Sequence, residues 1–260
     1  MTAATRITTA AIGLAAFTLI AGCATSEVQR ERVVASLRQS EATLARQASS
    51  EGFAGAKVNS GLLNNGLESY RLGPGASVTE MAGGKAYYLV FELPEFSEPY
   101  FVELAPQTQR IGTNPISGTA TETTNWPAVT LLDQDLRPIQ SYMPRYTPDP
   151  FRYFWQVGEQ FGFVSICNSN AKFVAVHGVP PAYGSSSRKM NDMFMIVGSM
   201  YATTAQALTT VQHPQGEVHV GITGRAPSNM ARKIEGATAC TREPLTLSAF
   251  LKQLAQDRSE

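Results

Sequence analysis

The sequence predicts a mainly β fold: an antiparallel β-sandwich with an N-terminal helical tether and a C-terminal amphipathic helix. Three observations carry that expectation. Short aromatic and β-branched runs recur from residue 85 onward, punctuated by Gly, Pro and Asn turns. The run at 217–223 alternates strictly, with Val218, Val220 and Ile222 on one face and Glu217, His219 and Gly221 on the other. Helical patterning, by contrast, is confined to short stretches. Apolar residues make up 43% of the chain and charged residues only 16%, against a typical ~25%. That balance supplies a core, and 21 Gly with 15 Pro supply its many turns.

The N-terminus sets the compartment. Arg6 is followed by an uncharged, mostly apolar run at 10–20. It is too short for a bilayer span of roughly 20 residues, but suits the ~7–15 of an export signal. The run ends in Ile20-Ala21-Gly22-Cys23, a lipobox, so 1–22 is expected to be a lipoprotein signal peptide and Cys23 the acylated residue. Ala24 follows, and similarity to Gram-negative lipoproteins then implies anchoring in the outer membrane, facing the periplasm. More than one acyl chain gives stable attachment, which makes the membrane the first expected partner.

Residues 23–50 read as the tether. They are charged, free of Pro and Gly, and carry a thin stripe of Val34, Leu37, Ala42 and Leu44. Residues 51–84 read as an irregular linker or leading strands. The sandwich is expected over 85–245, with strands at 87–93, 100–104, 129–132, 153–157, 161–167, 173–177, 193–201 and 217–223. Thr203 and Thr204 are positioned to cap a short helix at 205–211 by accepting from its first free amides. Over 246–260, Leu247, Phe250, Leu251 and Leu254 fall at i, i+3, i+4 and i+7, a stripe that docks on the sheet, with Thr246 or Ser248 as cap.

Cys167 and Cys240 remain once Cys23 is assigned to lipid. In an oxidising compartment a lone pair reads as a disulfide, worth roughly 4 kcal/mol for a loop of this length. Two buried thiols are the alternative.

A run at 127–138, Pro-Ala-Val-Thr-Leu-Leu-Asp-Gln-Asp-Leu-Arg-Pro, resembles the strand–turn segment of the maltose-operon periplasmic protein family. The order that follows, an apolar strand at 193–201, a Thr- and Gln-containing helix, a His-Pro loop and a Gly-led strand at 216–223, is similar as well. The resemblance spans roughly 85–225. It implies an exported, β-rich, non-enzymatic protein associated with maltodextrin uptake.

Chemistry-bearing motifs are sparse. Lys and Arg total 21 and so do Asp and Glu, so no field of one sign calls for nucleic acid. The histidines are His177, His213 and His219; His213 with Glu217 and His219 lacks the tight spacing of a zinc site. Ser186-Ser187-Arg188-Lys189 matches S-x-x-K but lies in a Gly/Ser-rich loop rather than at a helix start. Asp133 and Asp135 read as a turn rather than a calcium loop, and Glu92 with Glu103 would need adjacent strands to cooperate. No catalytic residue, metal site or cofactor is expected. The candidate binding loop is 142–155, stiffened by Pro144, Pro148 and Pro150. It offers Tyr142, Arg145, Tyr146, Phe151 and Arg152, with Trp126 nearby. Such a loop suits an oligosaccharide or an envelope protein partner; the competing reading sends its aromatic residues into the core. The expected role is therefore a lipid-anchored, non-catalytic binding or assembly module, with accessory maltodextrin binding as the alternative.

Overall fold

A computed structural model describes residues 28–29, 31–53, 56, 58–63, 66–114, 119–148, 160–167, 169–197, 200–223 and 246–257. The signal segment, Cys23, Phe151, Arg152, the expected strand at 153–157 and Cys240 lie outside them. Among the described residues the chain is mainly β. After a helix α1 at 31–46 come β1 (Ser50–Glu51), β2 (Val58–Leu62), β3 (Glu68–Leu72), β4 (Ser77–Met81), β5 (Gly84–Glu92) and β6 (Tyr100–Pro106). Next are β7 (Gln109–Asn114), β8 (Thr119–Thr124), β9 (Ala128–Leu132), β10 (Pro138–Tyr142), β11 (Thr147–Pro148) and β12 (Gln160–Ile166). Then follow β13 (Phe173–His177), a 3-10 turn (Pro180–Ala182), β14 (Ser186–Val197), β15 (Met200–Gln212), β16 (Gly216–Thr223) and helix α2 (Leu247–Asp257).

These strands build three sheets. The first runs β1-β4-β5-β13-β9-β10 with β2 also on β5; the second runs β11-β12-β6-β16-β3; the third runs β14-β15-β8-β7. Most pairings are antiparallel, but β1–β4, β2–β5 and β15–β8 are parallel, so the first and third sheets are mixed.

The aromatic run at 87–93 is the centre of the first sheet, and its lack of polar alternation has a structural cause. Both faces of β5 are covered. Tyr87, Leu89 and Phe91 enter the main core, while Tyr88 and Val90 enter a second cluster with Phe53, Leu132 and Ala175. The main core is shared with the second sheet through Val102 and Leu104, Val164 and Ile166, and Val218, Val220 and Ile222. The alternation expected at 217–223 holds over its first part: those last three are buried, Glu217 is exposed and His219 half-buried, but Gly221 on the second face is buried too, against the backbone of Gly66 and Leu67.

Several expectations need correction. The helix foreseen at 205–211 is strand, part of β15. Thr203, Thr204, Thr209, Thr210 and Val211 are β-branched and fit an extended backbone, and ladders to β14 and β8 satisfy that backbone better than an isolated helical turn. The single strand foreseen at 193–201 is instead the end of one hairpin arm and the start of the other. Residues 51–84 contribute strands to two sheets, with β3 on β16 and β4 on β5, so the leading-strand alternative describes them. Ser186 to Lys189, assigned from sequence to a Gly/Ser-rich loop, open β14 directly after the 3-10 turn.

The N-terminal segment is a docked helix. Val33, Ser40 and Leu44 form its buried face, and Val34, assigned to the stripe from sequence, is 39% exposed. Lys85 Nζ donates to the carbonyls of Ala45 (3.1 Å) and Gln47 (2.7 Å), which places a cation at the helix's negative end. Thr246 caps α2: its Oγ1 accepts from the Ala249 amide at 3.3 Å. As expected, Leu247, Phe250, Leu251 and Leu254 pack on the body, against Ala128, Met143, Val179 and Ala182.

Candidate functional site

The described rings of the sequence-predicted binding loop, Tyr142 and Tyr146, turn inward. Tyr142 is buried in the main core at the end of β10. Tyr146 packs on the same core, and its hydroxyl donates to the Pro127 carbonyl at 2.6 Å; burial pushes its phenol well above the ordinary value. Trp126 lies half-buried among residues that receive α2. Gln212 clamps its main chain, accepting from the Trp126 amide at 3.4 Å and donating to the carbonyl at 3.1 Å. Arg145 alone of the described set is exposed. The structure thus brings Trp126 and Tyr146 together as packing residues and offers no stacked aromatic platform at Tyr142 and Tyr146.

Two hollows remain. The smaller, about 280 Å³, lies under α2 and is walled by Phe53, Met81, Pro180, Pro181, Leu247 and Leu251. Its polar floor is a closed chain. His177, fully buried, donates from Nδ1 to the Gly178 carbonyl (2.9 Å), so its bare Nε2 accepts the Thr130 hydroxyl (2.9 Å), which in turn accepts from Ser141 (2.7 Å). Burial lowers the His177 pKa to about 4, with the Gly178 hydrogen bond opposing. Both ring nitrogens of His177 are therefore satisfied within the protein.

The larger hollow, about 570 Å³, is a polar groove where α1 crosses the junction of the second and third sheets. Ser36 and Ser40 of α1 form one wall. Gln107 and Thr108, between β6 and β7, and Gln109, which opens β7, form another, with Thr123 and Thr124 of β8 beside them. His213, Gln215 and Glu217, from the β15–β16 turn and β16, complete it with Arg71 of β3. The turn is held by main-chain and side-chain bonds: His213 N to Thr124 O (2.7 Å), Gln107 N to Glu217 O (2.8 Å) and Asn125 Nδ2 to Pro214 O (2.9 Å). A side chain at Gly216 would place its Cβ 2.9 Å from that of Asn125, so glycine is required for the close crossing.

His213 is buried at the groove wall, with Nε2 3.4 Å from Ser36 Oγ. Burial lowers its pKa, so it is neutral at pH 7. Gln107 Nε2 is buried without a hydrogen-bond partner, which is costly unless something outside the described residues accepts from it. Arg71 and Glu217 face each other in register, so the rim carries both signs. Among the described residues the lining holds amides, hydroxyls, the His213 imidazole and the charges of Arg71 and Glu217, and no Phe, Tyr or Trp ring.

The catalytic alternatives do not assemble. In β14, Ser186 and Lys189 lie an odd number of positions apart, hence on opposite faces. Asp133 Oδ1 accepts from the amides of Asp135 (2.8 Å) and Arg137 (2.9 Å), an Asx turn with Leu136 at φ 60°. Glu92 and Glu103 belong to different sheets. Among the described residues no three His, Cys, Asp or Glu side chains converge on a metal position. Cys167, directly after β12, is disulfide-bonded; its expected partner Cys240 lies outside the described residues.

Sequence reasoning missed Ser36, Arg71, Gln107 and Gln109 as groove residues, and weighed His213 only as a metal ligand. Their segments are distant in sequence and no local pattern links them; only the crossing of α1 over two sheets does.

The fold and groove thus define a mainly β protein with a polar cleft and no assembled catalytic centre among its described residues. Comparison with known protein families, curated proteins and solved structures finds no match to this chain.

Proposed function

We propose that this chain is an outer-membrane lipoprotein, acylated at Cys23, whose first two sheets form a non-catalytic β-sandwich and whose polar groove binds an envelope protein partner. The unpartnered Gln107 amide in the groove carries the reading. A donor left unpartnered in a residue of a polar groove wall favours a ligand that supplies an acceptor once the Gln107 side chain rotates outward, and an extended peptide presents carbonyls at regular spacing. The near balance of charge along the rim argues for a neutral polar segment over a polyanion.

A hydroxyl-rich ligand is the second reading, favoured by the same lining and by the resemblance to maltose-operon proteins. Among the described residues the groove carries no Phe, Tyr or Trp ring, which weighs against it, since sugar rings are ordinarily held by stacking.

Photo-crosslinkers placed at Gln109 and, as a control, at Glu95 distinguish these readings in the cell. A discrete protein adduct from Gln109 but not Glu95 supports a protein partner. No adduct, together with heat on calorimetric titration with maltodextrin that Gln107→Leu abolishes, replaces it with the sugar reading. Cys23→Ala should move the protein from the membrane to the soluble fraction; retention in the membrane refutes the anchor.

A further inference from the structure

Among the described residues the third sheet ends in an edge, β14, with no further strand beside it. β15 pairs with β8 only along Ala207–Gln212, whereas its ladder with β14 continues out to Val197↔Met200. The distal hairpin therefore extends about 20 Å past β8, at ~3.4 Å per residue. Among the described residues β14 stands last in its sheet, so its outer main-chain groups have no strand partner. An edge this long, with neither Pro nor Gly within it, is a template for another strand.

We propose that β14 pairs with β14 of a second copy of this chain, antiparallel about a two-fold axis at Met190, making one continuous eight-stranded sheet. The charge pattern selects this occupant. Arg188 and Asp192 lie two positions to either side of Met190, on one face of the strand. Antiparallel self-pairing centred on Met190 sets Arg188 of each copy opposite Asp192 of the other, and Lys189 opposite Asn191. Shifting the register by two residues places Arg188 opposite Met190 or Met190 opposite Asp192, losing both charge pairs. The same pairing lays each uncharged strand end, residues 193–197, beside the base of the partner's hairpin instead of leaving it an open apolar edge. The base is already fixed: Gln212 N donates to Ser185 O and Gly184 N donates to Gln212 O, both at 2.9 Å. A rigid base presents the edge in the conformation that pairing requires, which lowers the ordering cost of association.

The test is sedimentation of the full-length chain in detergent. A dimer is expected. Arg188→Asp should weaken it about ten-fold or more, because two attractive cross-strand pairs become repulsive. Asp192→Arg should do the same, and the double variant carrying both should restore it. Met190→Cys, at the axis, should cross-link to itself under oxidation, while Phe194→Cys should not. A monomer at all concentrations overturns the proposal. So does a dimer indifferent to both reversals, or cross-linked through position 194 rather than 190. Normal melting of each variant separates lost pairing from lost folding.

Discussion

Replacing His177 with Gln tests the buried polar chain and gives a signed pH dependence. His177 is 0% exposed, and burial lowers its pKa from 6.5 to about 4. The unfolded chain therefore binds this proton before the folded one. Above pH 6.5 both states are neutral at His177 and the full stability is present. As the pH falls from 6.5 towards 4, the unfolded state is favoured by about 1.4 kcal/mol per pH unit. The total loss is about 3 kcal/mol, of which about 2 has gone by pH 5. Gln at 177 can still accept the Thr130 hydroxyl but does not titrate, so its own cost appears at every pH while the slope disappears. Urea unfolding between pH 7.5 and 4.5 measures both. His213, whose pKa is also lowered by burial, leaves a residual slope in the variant. If the variant and the wild type lose stability in parallel on acidification, the assignment of the slope to His177 is refuted.

Three further outcomes follow from packing and covalent geometry. Gly178→Ala would push a methyl into the Tyr183 hydroxyl and should destabilise by about 1–3 kcal/mol, read as a lower urea midpoint; an unchanged midpoint would mean the ring moves freely. Lys85→Met removes both ammonium hydrogen bonds from the carbonyl end of α1, so amide exchange across 31–46 should quicken several-fold while β5 amides stay protected. Cys167→Ser should cost 2–5 kcal/mol in oxidised protein and nothing after reduction of both proteins; equal stability under oxidising conditions would remove the disulfide from the folded state.

The elements legible in sequence are those whose local pattern and tertiary fate agree. β13 coincides with the expected 173–177 run because an unbroken apolar stretch between turn residues leaves it little besides a strand buried on both faces. Strand β16 was legible through its alternation, and α2 through its i, i+3, i+4, i+7 stripe and Thr246 cap. The site was not legible. Its polar residues are individually ordinary, and aromatic loop residues, which look like a binding surface in sequence, are equally good core material. Tyr146 shows why: its hydroxyl finds a main-chain acceptor at Pro127, so burying it costs little and removes it from any ligand.

Residues 203–212 show the limit of local reasoning most clearly. Ala205, Gln206, Ala207 and Leu208 favour helix, and two threonines stand where caps belong. A helix of two turns, however, forms few internal bonds after its nucleation cost. As strand, the same residues gain ladder bonds to β14, and from Ala207 onward to β8 as well. Propensity differences of a few tenths of a kcal/mol per residue do not offset that. The choice has a consequence for the site: because β15 arrives as a strand beside β8, the turn after it delivers His213 to the Thr124 carbonyl and into reach of Ser36. Had 205–211 been a helix, the wall of the groove that α1 closes would not exist.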